Sequence, residues 1–188
     1  MATQSFADLG LSAGLLRAIT AAGYDAPTEI QARAIPPLLE GVDLLGTAQT
    51  GTGKTAAFVL PLLQRLVESG HTNGRHSRRH TGSPCRPVAL IVAPTRELAI
   101  QIDESVATYG VGSGVSHLAV FGGASKGGQL SGLRKNPLVL AATPGRLLDF
   151  VGEKAIDLSG VDTLIVDDAD RMLDMGFIPD VRRIAKLV

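Results

Sequence analysis

The chain has 188 residues, 45% of them hydrophobic, and its 18 basic and 18 acidic side chains cancel, which suits one α/β-sized domain with a real core and excludes overall disorder. Tryptophan is absent and aromatics make up 4%, so base-stacking platforms are poorly supplied and any nucleic acid would be held mainly by its backbone. Cys85 alone allows no intramolecular disulfide, no apolar run is long enough to span a membrane, and no signal-peptide layout opens the chain, so a reducing, cytoplasmic setting is expected.

In chain order, Leu11 to Ala22 has the spacing of an amphipathic helix ended by Gly23. In the following GYDAPTEIQ, Pro27 fixes a turn and Thr28 begins a second helix that runs to about Glu40. Gln31 has two readings. Thr28-x-x-Gln31 forms a capping box, and a glutamine amide can also pair with the N6 and N7 edge of adenine. The residues alone favour the cap.

Val42 to Gly46 predicts a short strand, and AQTGTGKT (Ala48, Gln49, Thr50, Gly51, Thr52, Gly53, Lys54 and Thr55) turns it into an amphipathic helix, Ala56 to Val67. That is the setting of a phosphate-binding loop. Triphosphate oxygens need several backbone N–H groups at close range, which Gly51 and Gly53 permit. Lys54 would then meet the β- and γ-phosphates and Thr55 would offer its hydroxyl to Mg²⁺, with the helix N-terminus aimed at the anion. Ala48 stands where the general pattern has glycine. Pro61 predicts a kink in the helix, and Gly70 ends it.

Residues 71–87 carry Arg75, Arg78, Arg79 and Arg86 and no acid, which predicts a flexible, solvated basic loop. His71, His76, His80 and Cys85 match no standard zinc spacing.

Four apolar runs, Val88 to Ala93, Val115 to Phe121, Leu138 to Ala142 and Thr163 to Val166, alternate with helical stretches and are bounded by Gly or Pro. They predict a doubly wound, mainly parallel sheet with helices on both faces. Ligands of such sheets bind at the C-terminal ends of the strands, so the Gly-rich loop and the acidic cluster Asp167-Asp168-Ala169-Asp170 would share one site. Asp167, ending an apolar strand, would hold Mg²⁺, and Asp168 would face the γ-phosphate and the attacking water. The alternative is a solvated acidic turn with Asp170 capping the next helix, although three carboxylates so close repel one another without a cation. Pro94-Thr95-Arg96-Glu97, Gly122-Gly123 and Thr143-Pro144-Gly145-Arg146 each suit a strand-to-helix connection. As a set on one edge they suit a track for a nucleic-acid backbone.

Together these stretches resemble, along nearly the whole chain, the N-terminal RecA-like domain of bacterial DEAD-box ATP-dependent RNA helicases, a P-loop NTPase fold. GYDAPTEIQ is similar to the family's Q motif, and Phe6 lies seventeen residues before Gly23, where the family places an aromatic that stacks on adenine. AQTGTGKT is similar to motif I including its leading Ala48, PTREL to motif Ia, and GG and TPGR to RNA-contacting motifs. The resemblance implies ATP contacts from Phe6, Tyr24, Thr28, Gln31 and the loop, with Gln31 both reading adenine and touching the loop. It implies catalysis by Lys54, Asp167 and Asp168 with Mg²⁺, and an RNA sugar-phosphate backbone gripped by Arg96, Gly123, Thr143 and Arg146 with their neighbours. It also implies a second RecA-like domain as partner, supplying arginine fingers.

Two departures qualify these expectations. Asp168 stands where the family has glutamate, so the residue that positions water is one methylene short. The sequence also stops at Val188, before the Ser-Ala-Thr motif expected next and without a second domain. Weak or no activity is expected of these residues alone, with a non-hydrolysing, nucleotide-gated RNA clamp as the alternative. The Gln31 region and the PTREL and TPGR turns disfavour a DNA helicase or a transporter-type ATPase.

Overall fold

A computed structural model of the chain describes residues 5–49, 51–72 and 83–188. They fall into two compact units, one of Met1–His71 with Ser105–Gly114, the other of Thr72–Glu104 with Val115–Val188.

The first unit is helical. A 3-10 turn, η1 (Phe6–Leu9), leads into α1 (Ala13–Ala21), α2 (Glu29–Leu39) and α3 (Lys54–Glu68). Gly23 ends α1 in the left-handed region (φ 80°), and Tyr24 N–H then reaches back to Ile19 O at 3.2 Å. Ala34 and Ile35 of α2 and Val59, Leu60 and Leu63 of α3 are buried, the two helices packing along each other. The helical assignment of α3 runs through Pro61 without a break.

The buried Gln64 ties the start of the chain to α3, its Oε1 accepting from Ser12 N–H at 2.9 Å and its Nε2 donating to Gly10 O at 3.1 Å. A buried amide keeps such partners because leaving it unpaired costs about 1–3 kcal/mol.

The strand expected at Val42 to Gly46 is not formed. Val42, Leu44 and Leu45 are 52%, 46% and 94% exposed. An apolar run becomes a strand only beside a hydrogen-bonding neighbour, and the four described strands pair among themselves.

Those strands belong to the second unit: β1 (Ala89–Val92), β2 (His117–Val120), β3 (Val139–Ala142) and β4 (Thr163–Val166). They form one wholly parallel sheet in the order β2-β3-β1-β4. β1 and β3 are buried at every position whereas β2 and β4 are partly exposed, as inner and edge strands of a parallel sheet should be. The connecting helices are α4 (Arg96–Tyr109), whose residues from Ser105 onward belong to the first unit, α5 (Lys126–Leu133) and α6 (Pro144–Gly152), with η2 (Leu158–Gly160), α7 (Ala169–Asp174) and α8 (Ile178–Ala185) completing the chain. Leu90, Val92, Val120, Leu140 and Ala142 pack with Leu147, Phe150, Met172 and Ile184 into one apolar cluster.

The end of the basic 71–87 stretch is part of this unit, not a solvated insertion. Cys85 is 3% exposed and bridges Ile156, and Arg86 pairs with Asp157 at 3.1 Å. Cys85 is apolar enough to join the core, and Arg86 finds an acid far along the chain. Arg75, His76, Arg78, Arg79 and His80 lie outside the described residues.

On the edge strand β2, His117 Nδ1 lies 2.8 Å from Asp103 Oδ1 of α4, both side chains about three-quarters covered. The hydrogen bond to Asp103 raises the imidazole's pKa above its ordinary value, against the opposing effect of burial and with help from the aspartate's charge. Because the folded value is the higher one, the stabilisation is fully present below about pH 6.5 and is lost as the pH rises through the raised value. Unfolding at pH 6 and pH 9 should therefore show a loss of about 1 kcal/mol across that range. Asp103→Asn should flatten the difference, and an unchanged slope in that variant would refute the assignment.

Candidate functional site

The nucleotide-side residues gather in the first unit. Gln31 is 1% exposed and uses both ends of its amide. Its Oε1 accepts from Thr28 N–H at 3.0 Å, the reciprocal half of the Thr28 capping box. Its Nε2 donates to Gly53 O at 3.2 Å, a carbonyl that also accepts the first helical bond of α3, from Ala57 N–H at 3.1 Å. One buried side chain thus joins the start of α2 to the loop that starts α3.

Gly51 and Gly53 both have left-handed backbones, with φ of 83° and 88°, a conformation that costs other residues about 1–2 kcal/mol. At Gly53 a second constraint applies, since a Cβ there would overlap the Gln31 amide nitrogen. Thr52 Oγ1 donates to Gln49 O at 2.7 Å, closing the loop on itself. Lys54 and Thr55 are the first two residues of α3, at the helix end whose dipole favours an anion. Both are half-buried, as is Ala48, whereas Gln49 is exposed. Thr50 lies outside the described residues.

Phe6, by contrast, is 6% exposed, so a stacking role requires its ring to be uncovered. Tyr24 is 48% exposed and its ring lies 6.3 Å from that of Tyr109. Burial first, and then the hydrogen bond with Tyr24, push the Tyr109 hydroxyl pKa upward. A groove of about 740 Å³ in the same unit is lined by Leu15, Ala18, Leu63, Val67 and Tyr109 among others, and no described residue of GYDAPTEIQ or AQTGTGKT lines it.

The remaining motif residues belong to the second unit, where the parallel register carries them to one end of the sheet. Val120, Ala142, Val92 and Val166 are ladder partners in the order β2, β3, β1, β4. The chain leaves those four positions as Phe121-Gly122-Gly123, Thr143-Pro144-Gly145-Arg146, Ala93-Pro94-Thr95-Arg96-Glu97 and Asp167-Asp168. With strands about 4.8 Å apart, the row is about 14 Å wide.

Each turn has its own support. Thr95 caps α4, its Oγ1 accepting from Leu98 N–H at 3.3 Å. That places Arg96 and Glu97, both exposed, in the first turn. The Arg96 guanidinium lies over the Phe121 ring, 5.0 Å from its centre. Gly122 and Gly123 are exposed, Gly123 with φ 74°. Thr143 precedes α6 without using its side chain as a cap, and the buried Pro144 is the first helical residue.

Arg146 is held inward. Both terminal nitrogens donate to Ala124 O at 3.4 Å, and the guanidinium lies 5.6 Å from the centre of the Phe150 ring. Its side chain is 13% exposed, with Asp149 at 4.0 Å. Arg146 therefore braces the glycine turn.

Asp167 is 8% exposed. Its N–H extends the ladder to Val92 O at 2.9 Å and its Oδ1 accepts from Asp168 N–H at 3.0 Å. Asp168 is left-handed, φ 52° and ψ 50°, immediately before α7. Aspartate tolerates that region better than most residues. The helix expected near Asp170 starts at Ala169, so Asp170 lies inside the first turn and is not the cap. The left-handed Asp168 starts the helix one residue earlier than the acidic run suggested.

Gln129 is a residue that the sequence motifs do not single out. It is 8% exposed, and its Oε1 and Nε2 meet the N–H and C=O of Phe121, each at 3.0 Å. The one available signal is its place four residues before Leu133, on the buried side of α5.

Comparison with known proteins agrees with this arrangement. The family model described as DEAD/DEAH box helicase matches residues 28–188. The chain is 45% identical over 181 residues to ATP-dependent RNA helicase DeaD of Mycobacterium tuberculosis, covering 96% of this chain and 30% of that protein. It is 41% identical over 183 residues to ATP-dependent RNA helicase CshA of Listeria monocytogenes, covering 97% and 32%. A crystal structure described as a hypothetical ATP-dependent RNA helicase from Sulfolobus tokodaii superposes with a TM-score of 0.80 at 33% identity, covering 95% of this chain and 47% of that one. The chain thus spans under a third of the length of these curated relatives. Their names lend no support to a non-hydrolysing clamp. The α/β fold is RecA-like, and the chain belongs to the DEAD/DEAH box helicase family.

Proposed function

We propose that these residues are the ATP- and RNA-binding N-terminal half of an RNA-stimulated ATPase that separates short RNA duplexes, working with a second RecA-like domain in the cytoplasm. The observation that carries the reading is the row of GG, TPGR, PTREL and acidic turns along one end of a parallel sheet. Exposed Gly122, Gly123, Gly145 and Arg96 suit contact with an RNA backbone, because N–H groups and a guanidinium bind phosphodiesters without reading bases.

In this reading Lys54 and Thr55 take the phosphates and Mg²⁺, and Gln31 selects adenine while holding the loop. Asp167 fits the magnesium role as a nearly buried carboxylate directly after β4, at the C-terminal end of the sheet. Among the described residues no group of three or more His, Cys, Asp or Glu could hold a metal by itself. Asp167 would then supply one oxygen beside phosphate and water ligands, an arrangement that suits Mg²⁺. The ion would neutralise phosphate charge. Asp168 would orient the attacking water.

The test is ATP hydrolysis by the full-length protein with and without RNA, comparing the unmodified protein with Asp168→Glu. Hydrolysis should be stimulated by RNA, and its absence would overturn the reading. Restoring the methylene moves the carboxylate by roughly 1.5 Å, a carbon–carbon bond length, and a misplacement of about 1 Å can cost on the order of 10²-fold. Asp168→Glu should therefore raise the rate constant by roughly ten- to a hundredfold while ATP affinity moves little. An unchanged or reduced rate would remove the water-positioning role.

A further inference from the structure

We infer that Gln129 is a positioning residue for the RNA-binding edge, holding the Phe121 peptide so that the Gly122-Gly123 turn and Arg96 keep the geometry that meets a phosphodiester backbone. The inference rests on the proposed RNA-binding function. Gln129 is itself too buried to offer RNA a surface, at 8% exposure.

At the end of β2, Val120 O accepts from Thr143 N–H at 3.0 Å, so the alternation of a strand turns the N–H and C=O of Phe121 the other way. β2 is an edge strand with β3 as its neighbour, and no described strand is there to receive them. The Gln129 amide takes both, accepting from Phe121 N–H and donating to Phe121 C=O, each at 3.0 Å. A side chain thus makes the pair of bonds that a further strand would make.

A second, independent feature brings the amide within reach. A Cβ at Gly132 would lie 2.9 and 3.0 Å from the two methyl carbons of Leu118, closer than Cβ atoms ordinarily come. α5 therefore lies close against the Leu118 side chain of β2, and Gln129, three residues earlier, shares that face.

The two glycines after Phe121 have little to hold them from within. Gly122 and Gly123 have the largest backbone freedom of any residue type, and a Cβ on either would meet nothing within 4 Å. Order is supplied from outside: Gln129 on the Phe121 peptide, Arg146 on Ala124 O, and Lys126 paired with Glu153. The Phe121 ring in turn lies under the Arg96 guanidinium. Releasing the peptide would therefore disturb the glycine turn and the arginine together.

The experiment measures RNA affinity of this chain at several salt concentrations, with ATP affinity and thermal unfolding as controls, for Gln129→Leu, Gln129→Glu and Gly132→Ala. Gln129→Leu keeps the volume and loses both hydrogen bonds, and Gln129→Glu keeps the acceptor alone. Gly132→Ala leaves the amide intact and crowds only the movable end of the Leu118 side chain. At a temperature where all are folded, Gln129→Leu should weaken RNA binding about tenfold and lower the salt slope by about one, as when a phosphate contact is lost. Gln129→Glu should fall between it and the unmodified protein. Gly132→Ala, with its glutamine unaltered, should lose less than Gln129→Leu, and ATP affinity should hold throughout. Unchanged RNA affinity in folded Gln129→Leu would overturn the role of Gln129 alone. Parallel losses of RNA and ATP affinity would assign Gln129 a general structural part and overturn it too. Failure of the unmodified chain to bind RNA at any salt would instead overturn the RNA reading beneath it.

Discussion

Gly53→Ala should weaken Mg·ATP binding by on the order of 100-fold, whereas Gly51→Ala, two residues away, should cost about tenfold. Both positions are left-handed, with φ of 88° and 83°, so each substitution carries about 1–2 kcal/mol of backbone strain. Only at Gly53 would the new methyl overlap the Gln31 amide, with nothing within 4 Å of a Cβ at Gly51. Displacing the 1% exposed Gln31 leaves a buried amide short of a partner, a further cost of about 1–3 kcal/mol. A ligand that needs the loop in one conformation sees its affinity reduced by the fraction no longer in that conformation. Titration of each variant with ATP in the presence of Mg²⁺ checks this. Equal losses at the two glycines would remove Gln31 as a support of the loop, and no loss at either would remove the loop as a nucleotide site.

Phe150→Ala should destabilise the sheet-containing unit by about 3–5 kcal/mol, a large share of the roughly 5–15 kcal/mol that holds a typical domain folded. The ring is 0% exposed and belongs to the apolar cluster formed by β1, β2 and β3 with the C-terminal helices. Lys126 Nζ and Arg146 Cζ lie 5.7 and 5.6 Å from its centre, within cation–π range. Truncation therefore opens a cavity and removes the surface on which Arg146 rests while bracing Ala124. Phe150→Leu keeps most of the volume and should cost less, about 1–2 kcal/mol. Denaturant unfolding of the two variants measures both, and a loss below about 1 kcal/mol for Phe150→Ala would show that the site collapses around the vacancy.

Features that depend on neighbours in the chain were legible from residue order. β4 is found at Thr163–Val166 as read, and β1, β2 and β3 lie inside their predicted runs, because short apolar, often β-branched stretches between Gly and Pro have few other states. The Thr28 capping box likewise needs only residues three apart. The parallel order followed from alternation of strands and helices, and it carries the sheet's motif turns to one edge whatever the packing details.

Tertiary structure decided whatever depends on a partner distant in sequence. Val42 to Gly46 has the composition of a strand, but strand formation is settled by a lateral hydrogen-bonding neighbour and not by composition, and the segment has no strand structure. Where the Arg146 side chain rests was not legible in TPGR, because a guanidinium turns to whatever carbonyl and ring lie within reach, here Ala124 and Phe150. Cys85 and Arg86 looked like loop residues until Ile156 and Asp157 were brought beside them. Gln129 shows the limit most plainly. Its amide matches the Phe121 peptide because α5 packs beside the edge strand, with Gly132 against Leu118, and periodicity does not encode how closely two elements pack.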